Sequence, residues 1–486
     1  MKVLFVCSEV APFSKTGGLA DVAEALPAAL ASRGSEVTVV TPLYSSAERQ
    51  DLRRLDQRIR LRFPFGEQHG ALFEAQMGAG HRVLLIDHPG FFMREGLYQG
   101  PAGEYPDNHR RFAFMSIGAL STAQVLGLEP DIIHLNDWQT GLAAVALSRA
   151  YRDTALGRAR TLFTIHNLAY QGNFPDRAVL DLGMPRGLFT PDRLEFHGRL
   201  SFIKGGIVFA DALSTVSPRY AQEIQTPEMG YGLDGILRTR RDSLHGILNG
   251  VDYAQWAPES DPVLPAHFSP DDLSGKEICK HRVLEAFGLA LPAAGMRVPL
   301  FAMISRLTGQ KGIDLVLQAL PWLLEEDLQV VVLGTGEPRF EEGLRQLQQR
   351  WPQKVSVRIG FDNSLAHLIE AGSDFFLMPS RYEPCGLNQM YSLRYGTIPI
   401  VRATGGLDDT VQDIGAAEAT GIKFQPYSAP ALASAIHRAL ELYRHPARLH
   451  EVRVRGMRKD FSWSKSAAEY EALYRSLQRS GIPAGR

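Results

Sequence analysis

The 486-residue chain is short of cysteine, of net charge and of long apolar runs, and each shortage excludes a class of protein. Three cysteines, Cys7, Cys279 and Cys385, cannot close a paired framework, and their spacing suits no metal site. Free thiols in a reducing compartment are expected. Lys and Arg total 52 against 53 Asp and Glu, a net charge of −1, which offers no long-range field to nucleic acid or an anionic membrane. No apolar run approaches the length that crosses a bilayer. After Met1-Lys2 the run Val3 to Cys7 is too short for a secretory signal and Glu9 interrupts it, so a soluble, cytoplasmic protein is expected. Repeats and low-complexity tracts are missing as well. What remains is a partner that is small or neutral.

A dinucleotide G-x-G-x-x-G fingerprint after the first strand is also absent. Val3 to Cys7 reads as a buried strand, and Ser8 to Gly18 follows as a polar loop ending in Lys15-Thr16-Gly17-Gly18. Leu19, Val22, Ala23, Leu26 and Leu30 recur at helical spacing, with Pro27 expected to kink or break the helix and Gly34 to stop it. With the strand Glu36 to Val40 this makes a βαβ unit whose first loop carries a lysine. Residues 43–107 are mixed in pattern and assign little. Beyond them Asn108 to Leu126 reads as a helix. The strand Asp131 to Leu135 precedes Asn136-Asp137-Trp138, and the strand Thr161 to Ile165 ends in His166-Asn167. Turn chemistry at Leu248 to Asp252 and four prolines from Pro258 to Pro270 mark a junction. From Val298 strands and helices alternate regularly, which predicts a second doubly wound parallel sheet and an α/β fold class. A helical segment from Ala429 to Tyr443 and a last helix to about Gln478 close the pattern.

Polar residues keep falling just after strand ends, the binding edge of an open α/β sheet. Glu383 and Gly386 lie in one strand-to-helix loop, and Ala403-Thr404-Gly405-Gly406 precede Leu407 in another. Both loops are expected to present unpaired helix N–H groups to phosphate oxygens. Arg306 and Lys311, in the loop after Leu300 to Ile304, suit a diphosphate leaving group or form a solvated loop. Glu383 is either a helix-entry carboxylate or one that meets sugar hydroxyls and positive charge at an anomeric carbon. Lys15-Thr-Gly-Gly is a turn or a place of close backbone approach. His166 reads as a capped core histidine or a site residue. Asp137 with Trp138 reads as an N-cap with a core aromatic, or as a sugar contact with a stacking platform. Gly334-Thr-Gly336 is a common strand ending. Cys385 has no histidine partner in sequence and is not read as a nucleophile.

Taken in order, these motifs resemble the family of bacterial glycogen synthases and plant starch synthases that use ADP-glucose. The carrying residues are Lys15-Thr-Gly-Gly-Leu19, His134-Leu-Asn-Asp137-Trp138, Thr164-Ile-His166-Asn167-Leu-Ala-Tyr170-Gln-Gly172, Asn249-Gly-Val-Asp252, Ser305-Arg-Leu307, Gln310-Lys-Gly312, Glu383-Pro-Cys-Gly-Leu387 and Thr404-Gly-Gly-Leu407. The resemblance spans Lys2 to about Trp463. It implies the GT-B architecture, two facing Rossmann-like doubly wound parallel-sheet domains with a cleft whose closure excludes water. Residues 1–250, joined by a C-terminal helix over 461–486, would form the acceptor-side domain, and 251–460 the nucleotide-sugar domain. By resemblance, Lys15, Gly17 and Gly18 lie near the donor, and Arg306 and Lys311 bind its phosphates. Gly405, Gly406 and Leu407 add backbone contacts, and Glu383, His166, Asp137 and Asn249 surround the glucose. Tyr98, Cys385, Gly386, Leu387 and Thr404 complete the implied substrate-binding set. Tyr391 stands where the wider retaining pattern places a second glutamate.

The implied reaction moves glucose from ADP-glucose to the 4-hydroxyl at the non-reducing end of glycogen or another α-1,4-glucan, with retention and release of ADP. No metal or other cofactor, no nucleic acid and no membrane is expected, and a front-face departure is the expected route because no nucleophile stands out. Rival readings are a UDP-glucose transferase of the same architecture, a nicotinamide-dependent oxidoreductase, a non-catalytic glycan-binding protein and a pyridoxal-containing phosphorylase.

Overall fold

A computed structural model of the chain describes residues 1–78, 80–293 and 296–479. The end of the expected C-terminal helix, 480–486, lies outside the described residues. The chain divides into two compact units. One comprises Met1–Val216, Ala221–Gly250 and the segment from Trp463; the other comprises Val251–Ser462 with Ser217–Tyr220. The proline-rich stretch from Pro258 to Pro270 lies inside the second.

The first unit is built on a nine-stranded sheet. Its order is Leu244–Gly246, Ala212–Thr215, Arg160–Ile165, Ile132–Asn136, Lys2–Val6, Glu36–Pro42, Arg82–Asp87, Gly66–Gln76 and Arg53–Phe63. The first seven are parallel. The last two form an antiparallel hairpin added at the edge of the expected doubly wound parallel sheet. Arginine dominates the exposed side of the outer strand, at Arg54, Arg58, Arg60 and Arg62, and such charge blunts an edge against pairing with another chain.

The helix Gly18–Ser32 continues through Pro27, so the alternative of a break there is corrected. Val22, Ala23, Leu26 and Leu30 are buried in the same core as Val3, Phe5, Val37 and Val39, and that packing outweighs the hydrogen bond a proline cannot donate. The last helix, Trp463–Arg479, docks into this core through Trp463, Ala467, Tyr470 and Tyr474. The Tyr474 hydroxyl lies 2.7 Å from Nδ1 of the fully buried His134, whose Nε2 lies 2.6 Å from Thr164 Oγ1.

The second unit holds a six-stranded sheet ordered Val355–Ile359, Gln329–Gly334, Leu300–Ile304, Phe375–Met378, Ile398–Arg402 and Ile422–Phe424, all parallel. Alternate residues of one strand enter different cores: Phe301 and Met303 one side, Leu300 and Ala302 the other. Helices therefore cover both faces, as parallel sheets require. In both units the first strand lies third from one end of the parallel run and the order reverses beside it. Ligands bind outside the carboxyl ends of strands at such a reversal. In the first unit it lies between Lys2–Val6 and Ile132–Asn136, in the second between Leu300–Ile304 and Phe375–Met378.

Candidate functional site

The first reversal is organised by Glu9, which sequence reading treated only as the end of an apolar run. Its buried carboxylate accepts the Thr16 N–H at 2.5 Å, the Thr16 hydroxyl at 2.7 Å and the Tyr98 hydroxyl at 2.5 Å. Burial and the Glu9 charge push the Tyr98 phenol well above its ordinary range, so it remains a donor. The only signal for this role in the sequence was a carboxylate just beyond a buried strand. Arg111, fully buried, fixes the rest of the Tyr98 loop by donating to the carbonyls of Phe91 and Leu97 at 2.7 and 2.9 Å. Lys15 is exposed and pairs with Asp21 at 2.6 Å. A Cβ added at Gly17 or Gly18 would meet nothing within 4 Å, and neither has a positive φ. Packing does not demand glycine there, which leaves room for close approach of a ligand.

Asp137 and His166 come together at the ends of neighbouring strands. Asp137 Oδ1 accepts the His166 N–H at 2.7 Å, while His166 Nε2 donates to Asn136 Oδ1 at 2.9 Å. Asn136 in turn donates to the Val6 carbonyl at 3.0 Å, which locks the two strands of the reversal together. Burial pushes the Asp137 carboxyl up to about 7, with the Glu9 charge adding to the rise and N–H donation from His166 and Asn167 opposing it. Burial pushes the His166 imidazole down to about 3, so the ring is neutral and its Nδ1 is the acceptor. Asp137 holds φ +57, a strained value for a residue with a side chain. Its carboxylate makes no cap bond to the following short helix. Trp138 is a core aromatic, edge-on to Phe112 with centroids 4.9 Å apart and packed on Gly172, so the stacking-platform alternative fails. Asn249 is buried, and its Oδ1 has no hydrogen-bond partner among the described residues.

At the second reversal Lys311 Nζ meets Glu383 Oε2 at 2.5 Å, and the Ser380 hydroxyl donates to the same oxygen at 3.1 Å. Both charged side chains are largely buried. Arg306 is exposed, and no described side chain pairs with its guanidinium. Gly334 and Gly336 serve packing: a Cβ on either would lie 2.0 and 2.3 Å from the carbonyl oxygens of Ser305 and Leu307. Phe361, missed in sequence, follows the strand Val355–Ile359 on the same sheet edge and is 87% exposed. Its signal was an aromatic residue just past a strand end, flanked by Gly360 and Asp362.

The expected phosphate cradle at Gly405 to Leu407 needs correction. The Gly406 N–H donates to the carbonyls of Glu383 and Pro384 at 3.1 and 3.2 Å, and the Leu407 N–H to the Thr404 carbonyl at 3.1 Å. A Cβ on Gly405 would sit 1.9 Å from the Glu383 carbonyl oxygen, and one on Gly406 2.1 Å from that of Cys385. These glycines let the buried Thr404 loop pack directly on the Glu383 loop. Gly386 turns that loop with φ +73, Leu387 precedes the helix Asn388–Arg394, and Cys385 is buried. Tyr391, in the place of a second glutamate, stacks on Trp256 at 3.9 Å, and Trp256 stacks on His367 at 3.8 Å. The position braces the helix that follows Glu383.

The starch synthase catalytic domain family matches residues 2–239, and glycosyl transferases group 1 matches residues 293–452. The chain is 57% identical to a glycogen synthase of Myxococcus xanthus (strain DK1622), over 98% of this chain and 99% of that one. It is 44% identical to a glycogen synthase of Koribacter versatilis (strain Ellin345), over 99% of each. Among solved structures, the catalytic domain of starch synthase IV from Arabidopsis thaliana bound to ADP and acarbose superposes with a TM-score of 0.90 at 36% identity, covering 98% of this chain and 99% of that chain. A sucrose-phosphate synthase from Thermosynechococcus elongatus, TM-score 0.61 at 18% identity over 99% and 100% of the two chains, shares the fold alone. With two Rossmann-like units of GT-B type and full-length likeness at this identity, the chain belongs to the glycogen synthase family of glycosyltransferases.

Proposed function

We propose that the chain transfers glucose from ADP-glucose to the non-reducing end of an α-1,4-glucan such as glycogen, retaining the anomeric configuration and releasing ADP in the cytoplasm. The observation that carries the reading is the pair Lys311–Glu383 at a sheet reversal beside the unpaired Arg306. As the bond to the diphosphate breaks, charge grows on the leaving oxygens, and the cations Lys311, held by Glu383, and Arg306 stabilise it. Glu383 holds Lys311 in place and supplies a counter-charge for the oxocarbenium-like carbon. Ion-paired to Lys311 and hydrogen-bonded to Ser380, it is a weak nucleophile, which favours departure and attack on one face. The leaving phosphate then takes the proton of the acceptor hydroxyl.

In this reading the glucose hydroxyls meet the His166 Nδ1 acceptor, the Asp137 carboxyl and Asn249, whose orphaned Oδ1 is satisfied by a sugar O–H. Lys15, with room at Gly17 and Gly18, approaches the donor, and Tyr98 fixes the loop beside it. Cys385, Gly386, Leu387 and Thr404 to Leu407 shape the donor side, the glycines by packing. Phe361 offers a face on which the nucleotide base stacks. The choice of ADP-glucose draws support from the starch synthase IV structure, which is bound to ADP and acarbose.

The test is ADP release from ADP-glucose with and without glycogen primer, beside UDP-glucose at equal concentration. Primer-dependent release with little turnover of UDP-glucose is expected. Equal use of both nucleotides would remove the donor assignment. A covalent glucosyl adduct trapped on Glu383→Gln would remove the one-face route.

A further inference from the structure

Two β-turns of the first unit carry an aromatic side chain where the backbone favours asparagine or glycine. His197-Gly198 is the two-residue loop between the paired strands Glu195–Phe196 and Arg199–Ser201, with φ +49 and +75. Tyr231-Gly232, with φ +48 and +81, forms the centre of a turn closed by the Leu233 N–H on the Gly230 carbonyl at 2.8 Å. Positive φ at both central positions is the type I′ pattern, whose favoured pair is Asn-Gly. A large ring at the first position opposes local preference, and such conflicts concentrate where function requires them. Neither ring is repaid by core burial: His197 is exposed and Tyr231 is 38% exposed.

The two turns meet. A Cβ built at Gly232 would lie 3.0 Å from Phe196 Cζ and 3.5 Å from His197 Nε2. A third loop joins them, the one that leaves His166: Gln171 Nε2 donates to the Tyr231 carbonyl at 3.1 Å, and the neighbouring Tyr170 is 54% exposed. Three tied loops therefore hold Tyr170, His197 and Tyr231 out to solvent beside the strand end that carries His166.

We infer that Tyr170, His197 and Tyr231 form a platform for the α-glucan acceptor, gripping sugar units away from the reacting end. Pyranose rings pack their C–H faces on aromatic rings, while phenol and imidazole groups meet the hydroxyls along the edge. A neutral polymer also fits a chain whose net charge of −1 draws no polyanion. The inference rests on the glucan reading proposed above, and it explains why two turns keep rings that their backbone disfavours.

The variants His197→Asn and Tyr231→Asn install the residue each turn prefers, so folding is kept while the rings are lost. Tyr170→Ala, at a position without positive φ, is the independent second change. We expect the double Asn variant to melt at or above the wild-type temperature, its KM for glycogen to rise at least tenfold and its KM for ADP-glucose to move less than twofold. Tyr170→Ala alone is expected to raise the glycogen KM at least threefold. Glycogen-containing native gels, which need no turnover, should retard the wild type more than either variant. Normal melting with a glycogen KM within twofold of wild type, or equal retardation of all three proteins, overturns the platform. Absence of primer-dependent ADP release from a wild type that glycogen still retards would overturn the transferase reading instead.

Discussion

The Glu9 carboxylate accepts the Tyr98 hydroxyl at 2.5 Å across 89 residues of chain, and with Thr16 on the same carboxylate it ties two loops of the first unit into one. A hydrogen bond to a buried charge contributes about 1.5–3 kcal/mol. Tyr98→Phe should therefore cut kcat/KM by roughly ten- to a hundredfold if the bond acts through the loop position. Glu9→Gln should cost a similar factor, and the double variant little more than either single. Fully additive losses in the steady-state rates would show that the two residues act separately.

Lys311→Ala should lower kcat by about 10² to 10³, the range for removing one preorganised charge stabiliser. It also strands Glu383 in a largely buried site. Lys311→Arg should recover part of the loss, because a cation remains. A fall of less than about tenfold in single-turnover rates, short of that range, would reduce Lys311 to a structural partner of Glu383.

Gly406→Ala should disable the enzyme without touching a charged group. The new methyl would lie 2.1 Å from the Cys385 carbonyl oxygen, so the loop bearing Glu383 must move. Overpacking of this kind costs about 1–3 kcal/mol in stability. Thermal melting and activity should fall together, whereas Gly17→Ala, with nothing within 4 Å, should leave melting unchanged and act on donor KM alone.

Asp137 makes stability fall as pH rises. Its carboxyl is held at about 7 in the folded chain, above the ordinary aspartate value near 4 that the unfolded chain recovers. Between those values the folded state binds the extra proton, so this contribution is full below about pH 4 and is lost as pH climbs through 7. Asp137→Asn, which keeps an oxygen for the His166 N–H, should gain stability relative to wild type between pH 5 and pH 8. Urea midpoints at the two pH values decide it, and a difference that does not change with pH would count against the shifted carboxyl.

Phe361→Ala should weaken ADP by about tenfold, within the range for losing one base-stacking face. Phe361→Tyr should bind normally. Calorimetry with ADP separates this from any effect on transfer, and unchanged affinity in the alanine variant would free Phe361 from the donor site.

The sheets and their binding edges were legible because apolar runs of strand length alternate with helical periodicity, and because charged residues fall just after Leu300–Ile304 and Phe375–Met378, whereas the strand order and its reversals were not. Arg306, Lys311 and Glu383 could thus be named together before any geometry. The hairpin Arg53–Phe63 and Gly66–Gln76 was not legible, since its outer strand is mostly exposed and rich in arginine and buries only Ile59 fully. Glycine was ambiguous for a physical reason: a missing Cβ signals close approach without saying by what. At Gly17 and Gly18 the space is open, whereas at Gly405 and Gly406 another backbone fills it. Tyr98 was named from the resemblance, but Glu9 escaped because the bond that gives it meaning joins residues far apart in sequence.

The docking of Trp463, Tyr470 and Tyr474 into the core of the first unit sets an order of events on the ribosome. Most of the first unit is translated first, yet its core waits for residues made after the second unit; the His134–Tyr474 bond spans 340 positions. The second unit, almost contiguous from Val251 to Ser462, can complete its sheet while the amino-terminal half is still missing a helix. A nascent chain stalled before Trp463 should thus expose the apolar face left by that helix, the state in which this protein most needs a chaperone.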